Sequence, residues 1–271
     1  MSAAIIDGRA VAAAIESELQ VRVARLDSAP RLAVVQVGDD PASTSYIRAK
    51  SRAAERVGIE LAHHHLPAGT SLGELEALVE RLNSSEHGII VQLPLPDGLE
   101  PALARIAPER DVDGFHPENL GRLLRGEPGL RPCTPAGIMV LLERSGHSPA
   151  GKHAVIVGRS NIVGKPLAVM LTQANATVTV CHTATPDLAH HTRQAELLVV
   201  AAGRLDTVTP EMVRPGATVV DVGVNRTEGG LVGDCAPGVA EVAGALTPVP
   251  GGVGPMTVTM LMANTVAAQA D

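Results

Sequence analysis

Short apolar runs alternate with longer amphipathic stretches along this chain, and that alternation predicts its elements. RLAVVQVG (31–38) is a mostly aliphatic run and reads as a buried strand. PASTSYIRAKSRAAERVG (41–58) follows as a helix ended by Gly58, and IELAHHHL (59–66) is a second strand. SLGELEALVERLN (71–83) opens with Ser71 and Glu74 in capping-box spacing, the mark of a helix start. GIIVQLPLP (88–96) is a third strand running into a proline turn. This order predicts right-handed β-α-β units on a parallel sheet.

The pattern then repeats. LRPCTPAGIMVLLERSG (130–146) reads as a long helix with Thr134 as N-cap and Pro135 at the first helical position. HAVIVGRSNIVGKPLAVMLTQANATVTVCH (153–182) reads strand, glycine turn, helix, strand. AELLVVAAG (195–203) and ATVVDVGV (217–224) add two buried strands, and PMTVTMLMANTVAAQ (255–269) closes as a helix. The expectation is an α/β protein of two domains with parallel sheets, the second a Rossmann-type dinucleotide-binding domain. The first spans about 1–130 plus a C-terminal helix at 253–271, the second 131–252.

Composition narrows the picture. Of 271 residues, 45% are apolar, yet one is Tyr, one is Phe and none is Trp, so the core must be aliphatic. Lys plus Arg (22) against Asp plus Glu (29) gives a formal charge of −7, which argues against nucleic acid as a partner. Cys133, Cys181 and Cys235 are far apart and form neither a zinc spacing nor a disulfide framework, which fits a reducing cytoplasm. The first residues carry an early Asp and no long apolar run, so no signal peptide is expected, and no apolar stretch is long enough for a membrane span. His63, His64 and His65 alternate faces on a strand and cannot converge on one ion, so no metal is expected.

The sharpest chemical signal is VIVGRSNIVGKPLAVML. A glycine turn between strand and helix presents backbone N–H groups and a positive dipole end to a phosphate. Its spacing is Gly158-x-Ser160-x-x-x-Gly164 rather than G-x-G-x-x-G, but a complete β-α-β unit surrounds it. The next strand ends in Cys181-His182-Thr183, where an NAD site usually carries a ribose-binding carboxylate, and Arg159 lies in the turn. A missing carboxylate beside a guanidinium favours NADP.

Tyr46 and Lys50, one helical turn apart, share a helix face. Such a pair is ordinarily a solvated surface feature. Here the Tyr is unique, and the helix follows the first strand, at the sheet edge where α/β proteins bind ligands. Gln92 ends the third strand at the same edge. Asp111 and Asp113 sit in a tight turn with Gly114 and the sole Phe, Phe115. PVPGGVGPMT (248–257) is a glycine-dense loop that lets backbone approach a flat ligand. A short-chain dehydrogenase also uses Tyr-x-x-x-Lys, but with its glycine turn upstream of the pair, the reverse of the order here.

The blocks SYIRAK, VQLPLP, DVDGFHPEN, PCTPAG, VGRSNIVGKP, VVDVGVN and TPVPGGVGPMTVTML run in this order over essentially the whole chain. In this the chain resembles the bifunctional methylenetetrahydrofolate dehydrogenase/methenyltetrahydrofolate cyclohydrolases. The resemblance implies a cytoplasmic homodimer, without metal, acting on tetrahydrofolate derivatives with NADP in a cleft between two domains. Tyr46, Lys50, Gln92 and Asp113 then carry the catalytic site. Leu93, Pro94, Pro250, Gly251 and Gly252 join them in holding folate. Thr134, Gly158, Arg159, Ser160, Ile162, Val163, Gly164, His182, Thr183, Val224 and Thr257 are expected to hold the cofactor. Thr183 and Ala184 depart from the family's usual C-H-S-K-T, and Cys235 from its G-D-V. Hydride transfer chiefly needs orientation, whereas hydrolysis must move protons. Lys50 can serve that step either neutral, its reference pKa of about 10.4 lowered by burial, or charged, polarising the folate.

Overall fold

The structure, a computed structural model, describes residues 2–270. The first elements are β1 (Ala4–Ile5), α1 (Gly8–Val23), β2 (Arg31–Val37), α2 (Pro41–Val57), β3 (Glu60–Leu66), α3 (Leu72–Ser85) and β4 (Gly88–Val91). There follow α4 (Pro117–Arg125), α5 (Cys133–Arg144), β5 (His153–Val157), α6 (Gly164–Gln173), β6 (Thr177–Cys181), α7 (Leu188–Thr192) and β7 (Leu197–Val200). The chain closes with β8 (Thr218–Asp221), β9 (Asn225–Thr227), β10 (Gly230–Val232), α8 (Val239–Val242), β11 (Ala245–Leu246) and α9 (Val253–Ala270).

These elements form two compact units. One holds the chain up to Ala12 together with Thr134–Thr257, and the other holds Ala13–Cys133 and the chain from Val258 onward. The first residues were expected with the folate domain. They group with the other unit because β1 pairs in parallel with β11, Ala4 opposite Ala245.

The unit containing Ala13–Cys133 is built on a three-stranded parallel sheet in the order β3-β2-β4. Its central strand β2 is buried on both faces, as an all-parallel sheet covered on both sides requires. Ala33, Val35 and Val37 point to one side, where Leu75, Leu78, Val79 and Leu82 of α3 cover them. Burying one such Leu is worth about 1.5–3 kcal/mol. Helix α3 starts with the capping box read from the sequence: Ser71 Oγ accepts from Glu74 N, and Glu74 Oε2 accepts from Ser71 N at 2.8 Å. Helix α2 is capped by Asp40, whose carboxylate accepts from Ser43 N at 2.7 Å, and it ends at Gly58 in the left-handed region.

The second unit carries a six-stranded parallel sheet in the order β1-β11-β8-β7-β5-β6. The strand order reverses between β5 and its neighbours β6 and β7, and this is the switch point at which open α/β sheets bind ligands. Ile138 and Leu142 of α5 pack with Ile156, Leu167, Leu171 and Val199 on one face, while Val155, Leu198, Val200 and Val219 cluster on the other. β9 and β10 form a separate antiparallel hairpin. Helix α5 opens at Cys133, one residue before the expected cap, so Thr134 and Pro135 lie in its first turn. Proline is tolerated there because first-turn N–H groups have no intrahelical acceptor.

The buried apolar residues are aliphatic or sulfur-bearing, as expected, and Tyr46 is 51% exposed, so the lone tyrosine is not a core residue.

Candidate active site and dinucleotide pocket

Both sites are assembled at the carboxyl ends of the parallel strands. In the three-stranded unit, Ile47, Ala53, Ala54 and Val57 bury one face of α2, which turns the adjoining stripe holding Tyr46 and Lys50 outward. Gln92 follows β4, and its backbone N–H extends the ladder to Val35 O at 2.8 Å. Lys50 Nζ donates to Gln92 Oε1 at 2.8 Å, and Gln92 Nε2 donates to Leu93 O at 2.7 Å. The Gln is thereby fixed with its carbonyl toward the ammonium. The Leu93–Pro94 peptide bond is cis.

Asp113 is delivered by a turn that can hold only one shape. Asp111 is buried, and its carboxylate accepts from His116 N at 2.7 Å and Asn119 Nδ2 at 3.1 Å. Gly114 has φ +78°, and a Cβ there would lie 2.3 Å from the Arg131 carbonyl carbon. Asn264 on α9 clamps the turn, donating to Val112 O at 2.8 Å and Arg131 O at 2.9 Å. Asp113 itself is half-buried. Burial pushes its carboxyl above the ordinary range, the Lys50 charge opposes that, and Asp111 adds to it. Asp113, Leu93 and Phe115 line a cavity of about 240 Å³ beside β4. Tyr46, Lys50 and Gln92 lie outside that cavity, and Asp111, which also lines it, has its carboxylate engaged in building the turn.

In the six-stranded unit, Gly158, Arg159, Ser160, His182 and Thr183 line a cavity of about 290 Å³. Gly158 has φ +134°, and a Cβ there would sit 2.2 Å from Ala201 O, so only glycine brings β5 and β7 this close. Ser160 Oγ accepts from Val163 N at 3.1 Å and so caps the entry to α6. The N–H groups of Ser160, Asn161 and Ile162 find no acceptor among the described residues. A close-approach glycine, open backbone donors and a guanidinium at a helix start fit the phosphates of a dinucleotide. Ile162 is exposed in the same turn. Val163 and Gly164 begin the helix, and Val224, exposed, does not line the cavity. Thr134 and Thr257 meet elsewhere in this unit, their hydroxyls 2.9 Å apart. Pro250, Gly251 and Gly252 also belong to this unit, so the residues expected around folate are divided between the two units.

Sequence reasoning missed the residues behind these walls. Asp234 is fully buried, and its Oδ2 accepts from Ala202 N at 2.7 Å and Gly203 N at 2.8 Å. Its Oδ1 accepts from Asn225 Nδ2 at 2.9 Å. Asp221, at the end of β8, accepts from Asp234 N and Cys235 N, each at 2.9 Å, and burial raises its carboxyl. These two carboxylates fix the turn after β7, which lines the cavity. The sequence signal for Asp234 is the Asp of G-D-C, in which Cys235 rather than Asp234 is the departure from the family's G-D-V. His63 and His65 stack on one face of β3, centroids 5.8 Å apart, and no group of three potential ligands converges among the described residues.

A Rossmann unit with open backbone donors in its glycine turn, joined to an α/β unit presenting a Lys-Gln pair and a turn Asp, defines a dinucleotide-dependent enzyme of two α/β units. Comparison with known proteins gives the family. The model described as tetrahydrofolate dehydrogenase/cyclohydrolase, catalytic domain, matches residues 6–113, and that of the NAD(P)-binding domain matches 132–271. "Bifunctional protein FolD" of Nitratidesulfovibrio vulgaris (strain DSM 19637 / Miyazaki F) is 58% identical, covering 97% of this chain and 96% of that protein. The crystal structure of the bifunctional FolD methylenetetrahydrofolate dehydrogenase/cyclohydrolase from Campylobacter jejuni is 47% identical, with TM-score 0.96 over 99% of each chain. The Trypanosoma brucei dehydrogenase-cyclohydrolase, solved with NADP cofactor and inhibitor, is 42% identical, with TM-score 0.93 over 99% of this chain and 97% of that one. This chain belongs to the tetrahydrofolate dehydrogenase/cyclohydrolase family.

Proposed function

We propose that the protein oxidises 5,10-methylenetetrahydrofolate to 5,10-methenyltetrahydrofolate with NADP and hydrolyses the product to 10-formyltetrahydrofolate. The observation that carries this is the Lys50–Gln92 hydrogen bond at 2.8 Å, in the same unit as Asp113. It supplies a positioned proton-handling group where hydrolysis needs one.

In the first reaction a C–H bond of the methylene bridge breaks and its hydride leaves. The folate nitrogens supply the electron pair that stabilises the resulting cation. The dinucleotide, when bound, supplies the hydride acceptor. Gly158, Arg159, Ser160, His182 and Thr183 would hold it, with Thr134, Val224 and Thr257 as further contacts. In the second reaction water adds to the methenyl carbon, one C–N bond breaks and a proton is released. Lys50 Nζ, held by Gln92, is the group that handles those protons. Asp113 accepts hydrogen bonds from the donor edge of the pterin. Tyr46, exposed and one turn before Lys50, offers a ring face to the folate, and Pro250–Gly252 offers backbone. The reading includes a cytoplasmic homodimer with no nucleic acid, membrane or metal partner. The acidic charge supports the first exclusion, and no described helix is long and apolar enough to cross a membrane.

The test is turnover: NADP-dependent formation of methenyltetrahydrofolate from the methylene substrate, then loss of its absorbance on hydrolysis. No reduction of NADP by the purified protein would end the reading. Asp113→Ala should weaken folate binding by about 1–3 kcal/mol, the cost of leaving a buried partner unpaired, with NADP affinity nearly unchanged. In wild type the same contact should fade on acidification earlier than for an ordinary carboxylate, because the raised pKa is reached sooner. Calorimetry in which both ligands weaken together would make Asp113 a structural residue. Arg159→Ala should remove most of an NADP preference over NAD, roughly tenfold to a hundredfold for a charge-assisted bond to phosphate. An equal loss with both cofactors would assign Arg159 to supporting the turn.

A further inference from the structure

We propose that Arg204 is a specificity-determining residue that grips the ribose 2′-phosphate of the dinucleotide together with Arg159. This rests on reading the pocket as an NADP site. Arg204 follows β7 and lines the same cavity as Gly158 and Arg159, from the opposite side of β5 to His182 and Thr183. Among the described residues neither guanidinium is engaged in an ion pair, whereas Lys165 near the turn is tied to Asn161 at 2.7 Å. The end of β6 and the segment after it read Cys181-His182-Thr183-Ala184 and bring no lysine or arginine of their own. The cations that line this cavity are therefore the two arginines.

The backbone under Arg204 is held while its side chain is left open. Ala202 N and Gly203 N, immediately before it, donate to the buried Asp234 carboxylate. Thr207 N donates to Asp234 O at 2.8 Å, and Thr207 Oγ1 donates to Arg204 O at 2.7 Å. Arg204 is exposed and makes no side-chain hydrogen bond among the described residues, so it costs the fold nothing to redirect it. Asp206, in the same turn, does not line the cavity and does not compete for the guanidinium there. A phosphate dianion seated against a protein wall is best met by two forked donors, and guanidinium geometry suits its oxygens better than an ammonium.

The probes are adenosine 2′,5′-bisphosphate and 5′-AMP, which differ only in the 2′-phosphate, titrated by calorimetry into the full-length protein. Wild type should bind the bisphosphate more tightly. Arg204→Ala should weaken the bisphosphate by roughly tenfold or more, the scale of one charge-assisted bond, and leave 5′-AMP within about twofold. The ratio of kcat/KM for NADP over NAD should fall in parallel, and Arg204→Lys should restore part of it. A thermal melt checks the fold of each variant. If wild type prefers the bisphosphate and Arg204→Ala keeps that preference, Arg204 does not touch the phosphate and the proposal fails alone. Equal weakening of both probes also overturns it, because the guanidinium would then stack on the adenine they share. No preference in wild type would overturn the NADP reading and this inference with it.

Discussion

Replacing Lys50 by Met should abolish hydrolysis of methenyltetrahydrofolate, by about a thousandfold or more, while the dehydrogenase retains a measurable fraction of its rate. Methionine nearly matches the lysine stem in length and suits a helix as well, so the fold should persist. What is lost is Nζ, the donor to Gln92 Oε1 at 2.8 Å. Gln92 keeps its side-chain anchor, Nε2 to Leu93 O, and its backbone bond to Val35 O, so it stays in place. A correctly placed acid or base is typically worth 10²–10⁴-fold, and hydrolysis, which must bring in water and shed a proton, depends on it throughout. Hydride transfer asks the protein mainly for orientation. A partial dehydrogenase loss is nevertheless expected through Asp113. The Lys50 charge is what opposes the burial-driven rise of that carboxyl. Removing it leaves Asp113 protonated over a wider pH range and weakens its grip on the substrate. Paired initial-rate measurements on one preparation, with folate binding by calorimetry, check this. Equal fractional losses in both reactions, with binding intact, would end the division of labour.

What the sequence showed and what it hid follow from how local each cause is. β2, β4, β5, β7 and β8 announced themselves as mostly aliphatic runs because a covered parallel strand is buried on both faces. α3 was legible from Ser71 and Glu74, whose capping box depends on four consecutive residues. β1 was not legible. Two residues, Ala4 and Ile5, make a strand only because Ala245 and Leu246 lie beside them, 241 positions later. The boundary between units misled at the N-terminus for the same reason. Lys50 and Gln92 could be named as candidates from strand and helix order, yet their pairing is a fact of the fold.

The supporting residues were hidden more completely. Asn264 holds the Asp113 turn from α9, and nothing in MANT marks an asparagine that reaches two carbonyls at 112 and 131. Nothing in the residues around Asp234 sets it apart, and its role shows only in the N–H groups of Ala202 and Gly203 that point at it. Residues that touch a ligand tend to sit in recognisable blocks, while those that hold the blocks draw on partners scattered along the chain.

The mirror image of the lysine variant is Gly158→Ala, which should abolish dinucleotide binding and dehydrogenation while sparing hydrolysis of supplied methenyltetrahydrofolate. Gly158 directly follows β5 with φ +134°, a conformation that L side chains rarely adopt. Its added Cβ would lie 2.2 Å from Ala201 O and 2.9 Å from Ala201 C, both backbone atoms with no rotamer to change. The strand ends must therefore move apart. They are tied at this level by Ala201 N donating to Val157 O and Gly158 N donating to Cys181 O, each at 2.8 Å. Separation widens the cavity between the β5 and β7 turns and swings Arg159 off its position. Strain of about 1–2 kcal/mol from the backbone alone, with the overlap added, points to roughly a hundredfold or greater loss in kcat/KM for NADP. Lys50, Gln92 and Asp113 all belong to the other unit, and hydrolysis consumes no dinucleotide. The cyclohydrolase rate should therefore stay within about threefold of wild type at a temperature below the variant's lowered Tm. Calorimetry with NADP and the two rate assays together decide it. NADP bound as tightly as by wild type would mean that the glycine turn does not carry the phosphates.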